Sequence, residues 1–486
     1  MRLRKLLLAV PGVDLSTVPD LDVFGVQEDS RRVTTGDLFI ARRGSATDGA
    51  AFIDEAHQRG AVAVVAAKQI ITPLPTIVVS DPTAAASLLA NRLQGDPSHD
   101  LKVLGVTGTN GKTTVTFLLQ HLARHASQPC GLIGTCITDD GSRQRSSAMT
   151  TPGPVEVASL LADMRDRGRK AVAMEVSSHA LDQRRVAGVT FAGAAFTNLT
   201  GDHLDYHGTL ENYAAAKAKL FEMLDTDVPA VVNARDPAAD RMLRDCRGRA
   251  ITFGIDCDAD YNATHLQTSA DGSAFYLETP RGSTAVTSKL IGRHNVENLL
   301  AAAALASEVF ELSPAKVADG LADAPAAPGR LESVHDGGPV AVLVDYAHTD
   351  DALENVLLAL RPLTTGRVRV VFGCGGDRDK TKRPRMAAVA ERLADDLIIT
   401  SDNPRTEDPT AILRDIKAGL TKPDRATLEV DRRAAICIAI DAAEPGDCVL
   451  VAGKGHEDYQ IVGVERLPFD DRVECRSALE RKQVPA

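Results

Sequence analysis

Short apolar runs alternate with amphipathic stretches along most of this chain, and turn-rich segments near residues 95–100 and 322–329 break the alternation into three parts. In the first part, runs such as Asp37-Leu-Phe-Ile-Ala-Arg and Ala61-Val-Ala-Val-Val-Ala read as strands between helical stretches, up to the turn formers Gly95-Asp-Pro-Ser-His-Asp. The second part opens with an apolar strand at 102–107, a glycine-rich turn and an apolar-periodic helix at 115–126. Strand candidates at 170–176, 193–197 and 229–233 then alternate with helices, the pattern of a doubly wound parallel sheet. Ala322-Asp-Ala-Pro-Ala-Ala-Pro-Gly reads as a hinge. Beyond it strands at 340–345, 367–372, 396–400 and 448–452 alternate with helices at 350–360, 384–393 and 409–420. The spacing predicts an α/β protein of three domains: 1–98, a small α/β unit; 99–329, a P-loop-type unit with a mostly parallel sheet; and 330–486, a Rossmann-like unit.

Length supports that division, since 486 residues give three cores at about 100–200 residues each. With 44% hydrophobic and 25% charged residues the chain is an ordinary globular one, and collagen-like, disordered and disulfide-scaffold classes are excluded. A net charge of −11 argues against a protein that coats nucleic acid or anionic lipid, so an anionic ligand needs a local positive site. The eight cysteines form no CxxC pair and are expected to be free thiols in a reducing compartment. The apolar run at residues 6–10 is too short for a signal peptide and reads as a short helix, and no run of about 18 apolar residues predicts a membrane span. A cytoplasmic enzyme, taken as a monomer, is the expectation.

Local chemistry is densest in Gly105-Val-Thr-Gly-Thr-Asn-Gly-Lys-Thr-Thr. Between a strand and a helix, the backbone N–H groups around Gly108, Thr109, Asn110 and Gly111 are placed to approach phosphates. Lys112 is placed for the β/γ oxygens, Thr113 for Mg²⁺, and Thr114 follows on the first turn. The strict GxxxxGK[ST] spacing is not met, because Val106 stands five residues before Gly111. The combination still points to ATP.

Gly108-Thr-Asn-Gly-Lys-Thr-Thr, Met174-Glu-Val-Ser-Ser-His, Asp202-His-Leu-Asp-Tyr-His, Gly292-Arg-His-Asn-Val-Glu-Asn and Val344-Asp-Tyr-Ala-His-Thr, in this order, resemble the Mur ligase family of peptidoglycan synthesis over nearly the whole chain. Ser401-Asp-Asn-Pro-Arg-Thr-Glu-Asp-Pro and Gly453-Lys-Gly-His-Glu-Asp-Tyr-Gln resemble the branch that adds diaminopimelate. The resemblance implies ATP-dependent amide formation through an acyl phosphate, with Mg²⁺. It further implies that Glu175 and His203 serve a metal beside that at Thr113, and that Lys217 is carbamylated to an N6-carboxylysine that helps organise it. Arg330 is implied at the γ-phosphate, Asp345 at the ribose, and Asn295 and Asn298 near adenine. With Lys112, these make Glu175, His203, Lys217 and Arg330 the implied catalytic set.

For the nucleotide-sugar substrate, UDP-N-acetylmuramoyl-L-alanyl-D-glutamate, the resemblance assigns Ser30 in the first domain, and Thr150, Thr151, Ser177, Gln183 and Arg185 in the second. For meso-diaminopimelate it assigns Arg383, Asp402, Asn403, Arg405, Gly453 and Glu457 in the third. An arginine at 405 suits the distal carboxylate that lysine lacks, with Asp402 and Glu457 for the distal ammonium. Asp350, where the family commonly has proline, reads as a helix N-cap. A lysine-adding relative, a folylpolyglutamate synthetase and an ATP-driven switch remain as alternatives.

Overall fold

A computed structural model of the chain describes residues 1–44, 47–147, 149–269, 272–334 and 338–483. Helix Leu3–Leu7 buries Leu3, Leu6 and Leu7 against the first sheet, a four-stranded parallel one in the order Gly25–Gln27, Asp37–Ala41, Ala63–Ala66, Thr76–Val78. Helix Pro82–Leu93 is started by Asp81, whose carboxylate accepts from Thr83 and Ala84 N–H, and by a proline in its first turn. Ser87 on this helix ties the first unit to the second: its Oγ donates to the Arg185 carbonyl at 3.0 Å and accepts from Gly188 N–H at 3.0 Å.

The central sheet has eleven strands among the described residues. Its heart runs Arg249–Ile255, Pro229–Asn233, Gly193–Phe196, Lys102–Thr107, Ala171–Glu175, Cys130–Ile133, all parallel. These strands are buried almost throughout, as expected of a sheet covered on both faces. One face packs on helices Lys112–His125 and Arg293–Phe310, and the other on Pro154–Asp166 and Leu210–Glu222. The buried alanines 301–304 keep the first pair of helices close together.

Periodicity did not reveal the edges of this sheet. Tyr261–Ser269, Gly272–Thr279 and Gly282–Ser288 add an antiparallel ribbon on one side, while Ile137–Asp139 and Gln144–Ser146 do so on the other. Their Thr- and Ser-rich, half-exposed sequences lack the apolar runs that mark the interior strands.

The third sheet runs Glu332–Ser333, Ala341–Asp345, Cys448–Ala452, Val368–Phe372, Asp396–Ile399, Ala426–Leu428, parallel except at its first strand. Helix Asp350–Leu360 begins where the sequence places it, but its N-cap is Thr349, whose hydroxyl accepts from Ala352 N–H at 3.2 Å. Asp350 is therefore the first helical residue, a favourable place for its charge. Strand ends at Thr107, Glu175 and Phe196 in the central sheet, and at Asp345, Phe372, Ile399 and Ala452 in the third, deliver their following loops to the clefts between the two units. Crevices outside the carboxyl ends of parallel strands are where such folds bind ligands.

Candidate active site

The turn after Thr107 works because two of its residues have no side chain. Gly108 has φ 149° and a Cβ there would lie 1.9 Å from Thr197 Oγ1; Gly111 has φ 85° and a Cβ would lie 2.2 Å from Asn298 Oδ1. The loop is thus pressed against its neighbours with its backbone open. Lys112 folds over it, donating to the carbonyls of Gly108 and Thr109 at 2.9 and 2.8 Å. Burial lowers the affinity of Lys112 for its proton, with Glu175 opposing.

A second lysine reaches the same loop from another helix. Lys217, 1% exposed, donates to the Gly108 carbonyl at 2.7 Å and lies 4.3 Å from the centre of the Tyr213 ring. Burial first, and Lys112 second, push it well below the ordinary lysine value, which favours a free amine.

Glu175 is fully buried at its strand end. It accepts from Thr113 Oγ1 at 3.0 Å, Thr135 N–H at 2.8 Å and Thr135 Oγ1 at 3.0 Å. Gly134 leaves it room, since a Cβ there would sit 2.5 Å from Glu175 Oε1. Hydroxyl and carboxylate oxygens at the first turn of a P-loop helix are a donor set that fits Mg²⁺. His203 stands apart from this pair, on the wall of the neighbouring cleft, in a left-handed conformation with φ 55°. Its Nε2 lies 3.5 Å from Asp202, and burial keeps the imidazole neutral.

Beside the loop lies a cavity of about 440 Å³ whose walls include Asn110, Gly111, Thr114, Asn295, Asn298, Arg330 and Asp345. Every one of these is a residue that the loop chemistry or the family resemblance points to. Asn233 and Asp236 join them from outside the quoted motifs, and His294 from inside Gly292-Arg-His-Asn-Val-Glu-Asn, where no role had been assigned to it. Asn110 Nδ2 donates to Asp351 of the third unit at 2.8 Å. Arg330, on the hinge, donates from Nη2 to Thr113 Oγ1 at 3.3 Å and stacks 4.7 Å from the Tyr346 ring centre. Asp345 accepts from the N–H groups of Leu331 and Ala347, both at 2.7 Å, so it also holds the chain just after Arg330.

A second cleft, of about 400 Å³, brings His203 and Thr150 of the central unit face to face with Asp402, Asn403, Arg405, Gly453 and Glu457 of the third. Arg405 has φ 53°, an uncommon conformation for a side-chain-bearing residue. The hairpin Tyr459–Val462 with Glu465–Pro468 holds it there, through Arg405 N–H to Ile461 O at 3.0 Å and Gly463 N–H to Arg405 O at 2.7 Å. Its Nη1 donates to Gly376 O at 2.7 Å. Beneath the pocket, fully buried Lys454 donates to Glu457 at 2.9 Å and to Asn403 Oδ1 at 3.3 Å, and pairs with Asp402 at 3.8 Å. Burial works against the charge on Asp402, but Lys454 and then Arg432 outweigh it and keep the carboxylate ionised. Inside Gly453-Lys-Gly-His-Glu nothing in the sequence distinguishes Lys454 as the buried cation of this pocket.

Arg383 does not join this group. Its side chain is 0% exposed and committed to Glu407 at 3.0 Å and Asp415 at 2.8 Å, while Arg378 and Lys382 of the same basic run line the cleft. Helix Lys382–Leu393 turns Arg383 inward, and Arg378 stays on the preceding loop. The basic run supplies the pocket through different members from the one expected.

The nucleotide-sugar candidates form two sets. Thr151 Oγ1 donates to the Glu175 carbonyl at 2.8 Å and accepts from Ser177 N–H at 3.0 Å, while Ser177 Oγ caps helix Ser178–Asp182. Arg185 donates to Thr151 O at 2.7 Å and to Gln183 Oε1 at 2.7 Å, and faces Glu28 and Arg42 of the first unit. Thr150 Oγ1 accepts from Thr135 at 3.0 Å. Ser30 lies in the first unit, where its Oγ donates to Glu55 at 2.7 Å.

An α/β core with a phosphate-loop cradle on one sheet, a facing cleft on another and a hinge arginine between them defines a nucleotide-dependent ligase architecture. Residues 106–306 match the Mur ligase middle domain, residues 329–455 the Mur ligase glutamate ligase domain, and residues 22–93 the Mur ligase family catalytic domain. A protein of Geobacillus thermodenitrificans named UDP-N-acetylmuramoyl-L-alanyl-D-glutamate--2,6-diaminopimelate ligase is 45% identical over 99% of this chain and 100% of its own. One of the same name from Listeria monocytogenes is 43% identical over 99% of each chain. A solved structure of an enzyme of that name is 36% identical, covers 100% of both chains and superposes with a TM-score of 0.70. The chain belongs to the Mur ligase family.

Proposed function

We infer that this chain is an ATP-dependent amide-bond-forming ligase that adds meso-2,6-diaminopimelate to UDP-N-acetylmuramoyl-L-alanyl-D-glutamate in peptidoglycan precursor synthesis. The observation that carries the reading is the cleft in which Arg405, Asp402, Asn403 and Glu457 face His203 and Thr150. It offers a fork of donors for a distal carboxylate and acceptors for a distal ammonium, beside the loop that would hold the triphosphate. Lysine has the second group without the first, and in this pocket would leave Arg405 unpaired. A folylpolyglutamate synthetase has no use for such a pocket, and a switch that only hydrolyses ATP has none for an amino-acid cleft.

In the reaction, a carboxylate oxygen of the D-glutamate attacks the γ-phosphorus of ATP, the bond to the bridging oxygen breaks, and ADP leaves. The free amine of diaminopimelate then attacks the acyl carbon, and the tetrahedral intermediate expels phosphate, which takes up the amine proton. Both steps crowd negative charge, so the required groups are cations and aligned donors. Lys112 and the loop N–H groups would bind the β and γ oxygens, and Arg330 would meet the γ-phosphate when the third unit is closed on the second. Asn295 and Asn298 would line the adenine side and Asp345 the ribose. Thr113 would hold one Mg²⁺, and Glu175 with His203 from the facing cleft a second beside it, and these ions neutralise phosphate charge when bound. The Lys217 amine, its proton affinity lowered by burial, would add CO₂ through its nitrogen and release a proton, leaving a carbamate anion within that site.

The first unit, 1–98, with Ser30, would take the uridine end; 99–329 would take ATP and, through Thr150, Thr151, Ser177, Gln183 and Arg185, the muramoyl dipeptide; 330–486 would take diaminopimelate, with Arg378 as a further carboxylate partner. No helix among the described residues is long and apolar enough to cross a membrane. The proposed setting is the cytoplasm and the proposed state a monomer. Phosphate release in the presence of ATP, Mg²⁺ and the nucleotide sugar, with meso-diaminopimelate or L-lysine as acceptor, tests the reading. Turnover with diaminopimelate alone supports it, equal turnover with lysine leaves only the ligase class, and turnover without any amino acid overturns both.

A further inference from the structure

Far from both clefts, at the C-terminal end of the P-loop helix Lys112–His125, two histidines one turn apart face a single carboxylate. His121 Nε2 lies 2.9 Å and His125 Nε2 3.4 Å from Asp323 Oδ1, and one ligand atom from each residue falls within 4.8 Å of the others. Asp323 is the residue that ends helix Pro314–Ala322. Three ligands about 2.0–2.2 Å from a tetrahedral metal are about 3.3–3.6 Å from one another. Here the carboxylate lies 3.4 Å from one imidazole and 2.9 Å, hydrogen-bond distance, from the other, and all three ligand atoms fall within 4.8 Å, so a shift of a few tenths of an ångström seats an ion. Histidines at i and i+4 present their nitrogens on one helix face, and with a carboxylate they form a donor set suited to Zn²⁺ and its neighbours and unsuited to Mg²⁺.

The approach of the two helices is built in. Gly320 sits inside helix Pro314–Ala322, where an added Cβ would lie 3.3 Å from the His125 ring and 2.7 Å from Leu122 Cδ2. Glycine at that position lets the helix carrying Asp323 lie against the histidine face.

We propose that His121, His125 and Asp323 form a binding site for a divalent transition-metal ion of the zinc type, with water completing the coordination. The site joins the end of the P-loop helix to the first residue of the segment that leads to Arg330. The start of that helix already meets Arg330 through Thr113. A bound ion would therefore pin the near end of the hinge to the same helix whose other end receives its arginine.

The test is a titration of the full chain, stripped with chelator and held in excess Mg²⁺, with Co²⁺ followed by visible absorption and then displaced by Zn²⁺. One equivalent with nitrogen and oxygen ligand-field bands and no thiolate charge-transfer band is expected, weakened at least about tenfold in His125→Asn and in Asp323→Asn. Gly320→Ala keeps all three ligands and is expected to weaken binding through the displaced helix, with far-ultraviolet circular dichroism and the melting temperature without metal reporting that the variant is folded. Zn²⁺ should also slow amide exchange in residues 323–328 of the wild type and leave it unchanged in His125→Asn. Unaltered Co²⁺ affinity in folded His125→Asn and Asp323→Asn, or a spectrum of thiolate ligation alone, would overturn the proposal.

Discussion

Arg330 Nη2 lies 3.3 Å from Thr113 Oγ1, a contact spanning 217 residues of chain and joining the hinge to the first turn of the P-loop helix. The guanidinium rests on Tyr346 while Asp345 fixes the next backbone N–H, so its position is set by the third unit and its target lies on the second. Replacing Arg330 with Met is expected to lower kcat about 10²–10³-fold in the phosphate-release assay, with a smaller change in KM for ATP and little change in melting temperature. A loss confined to KM would make it a ground-state binding residue instead.

Lys217 is buried beside Lys112 and poorly able to hold a proton. Intact-mass spectra taken in bicarbonate should show one added CO₂ that is absent in Lys217→Arg, and both Lys217→Arg and Lys217→Met should lose nearly all activity. An active Lys217→Arg enzyme would remove the carbamate from the mechanism.

Arg405 needs a substitution that its backbone accepts. Because φ is 53°, Arg405→Asn separates loss of the guanidinium from strain better than Arg405→Ala does. The Asn variant is expected to lose about 100-fold in kcat/KM for meso-diaminopimelate while the ratio of diaminopimelate to lysine use falls. An unchanged ratio would pass the selecting role to Arg378.

Glu407 is held at about 2, first by hydrogen bonds from Arg383, against some burial, with Asp377 N–H and Lys380 adding to the effect. A carboxylate lowered from 4.5 stabilises the fold fully above pH 4.5, and that contribution is lost as pH falls from 4.5 through about 2. Glu407→Gln should therefore be less stable than wild type by about 1–2 kcal/mol at pH 7, with the gap narrowing below pH 4.5 in denaturant titrations. A gap that is constant with pH would assign the effect to packing.

The phosphate cradle was legible because it is local: one apolar strand, two glycines and one helix start lie within a dozen residues, and strand-to-helix geometry does the rest. Interior strands were legible for the same kind of reason, since burial on both faces leaves unbroken apolar runs. The antiparallel edges at 261–288 were not, because half-exposed Thr- and Ser-rich strands carry a weaker signal than the sheet to which they add.

Within the basic run 378–385 the residue types did not say which member meets the cleft. Helix phase and the partners Glu407 and Asp415 turn Arg383 inward and leave Arg378 and Lys382 at the wall. Lys454 carried no hint of its place beneath Asp402 and Glu457, and Asp323 none of its place beside His121 and His125. Local pattern specifies elements whose hydrogen bonds and buried faces close within a few turns of chain. Contacts such as Arg330 with Thr113 exist only once separate sheets have packed and met, because the groups that fix them lie hundreds of residues apart and no short-range periodicity relates them.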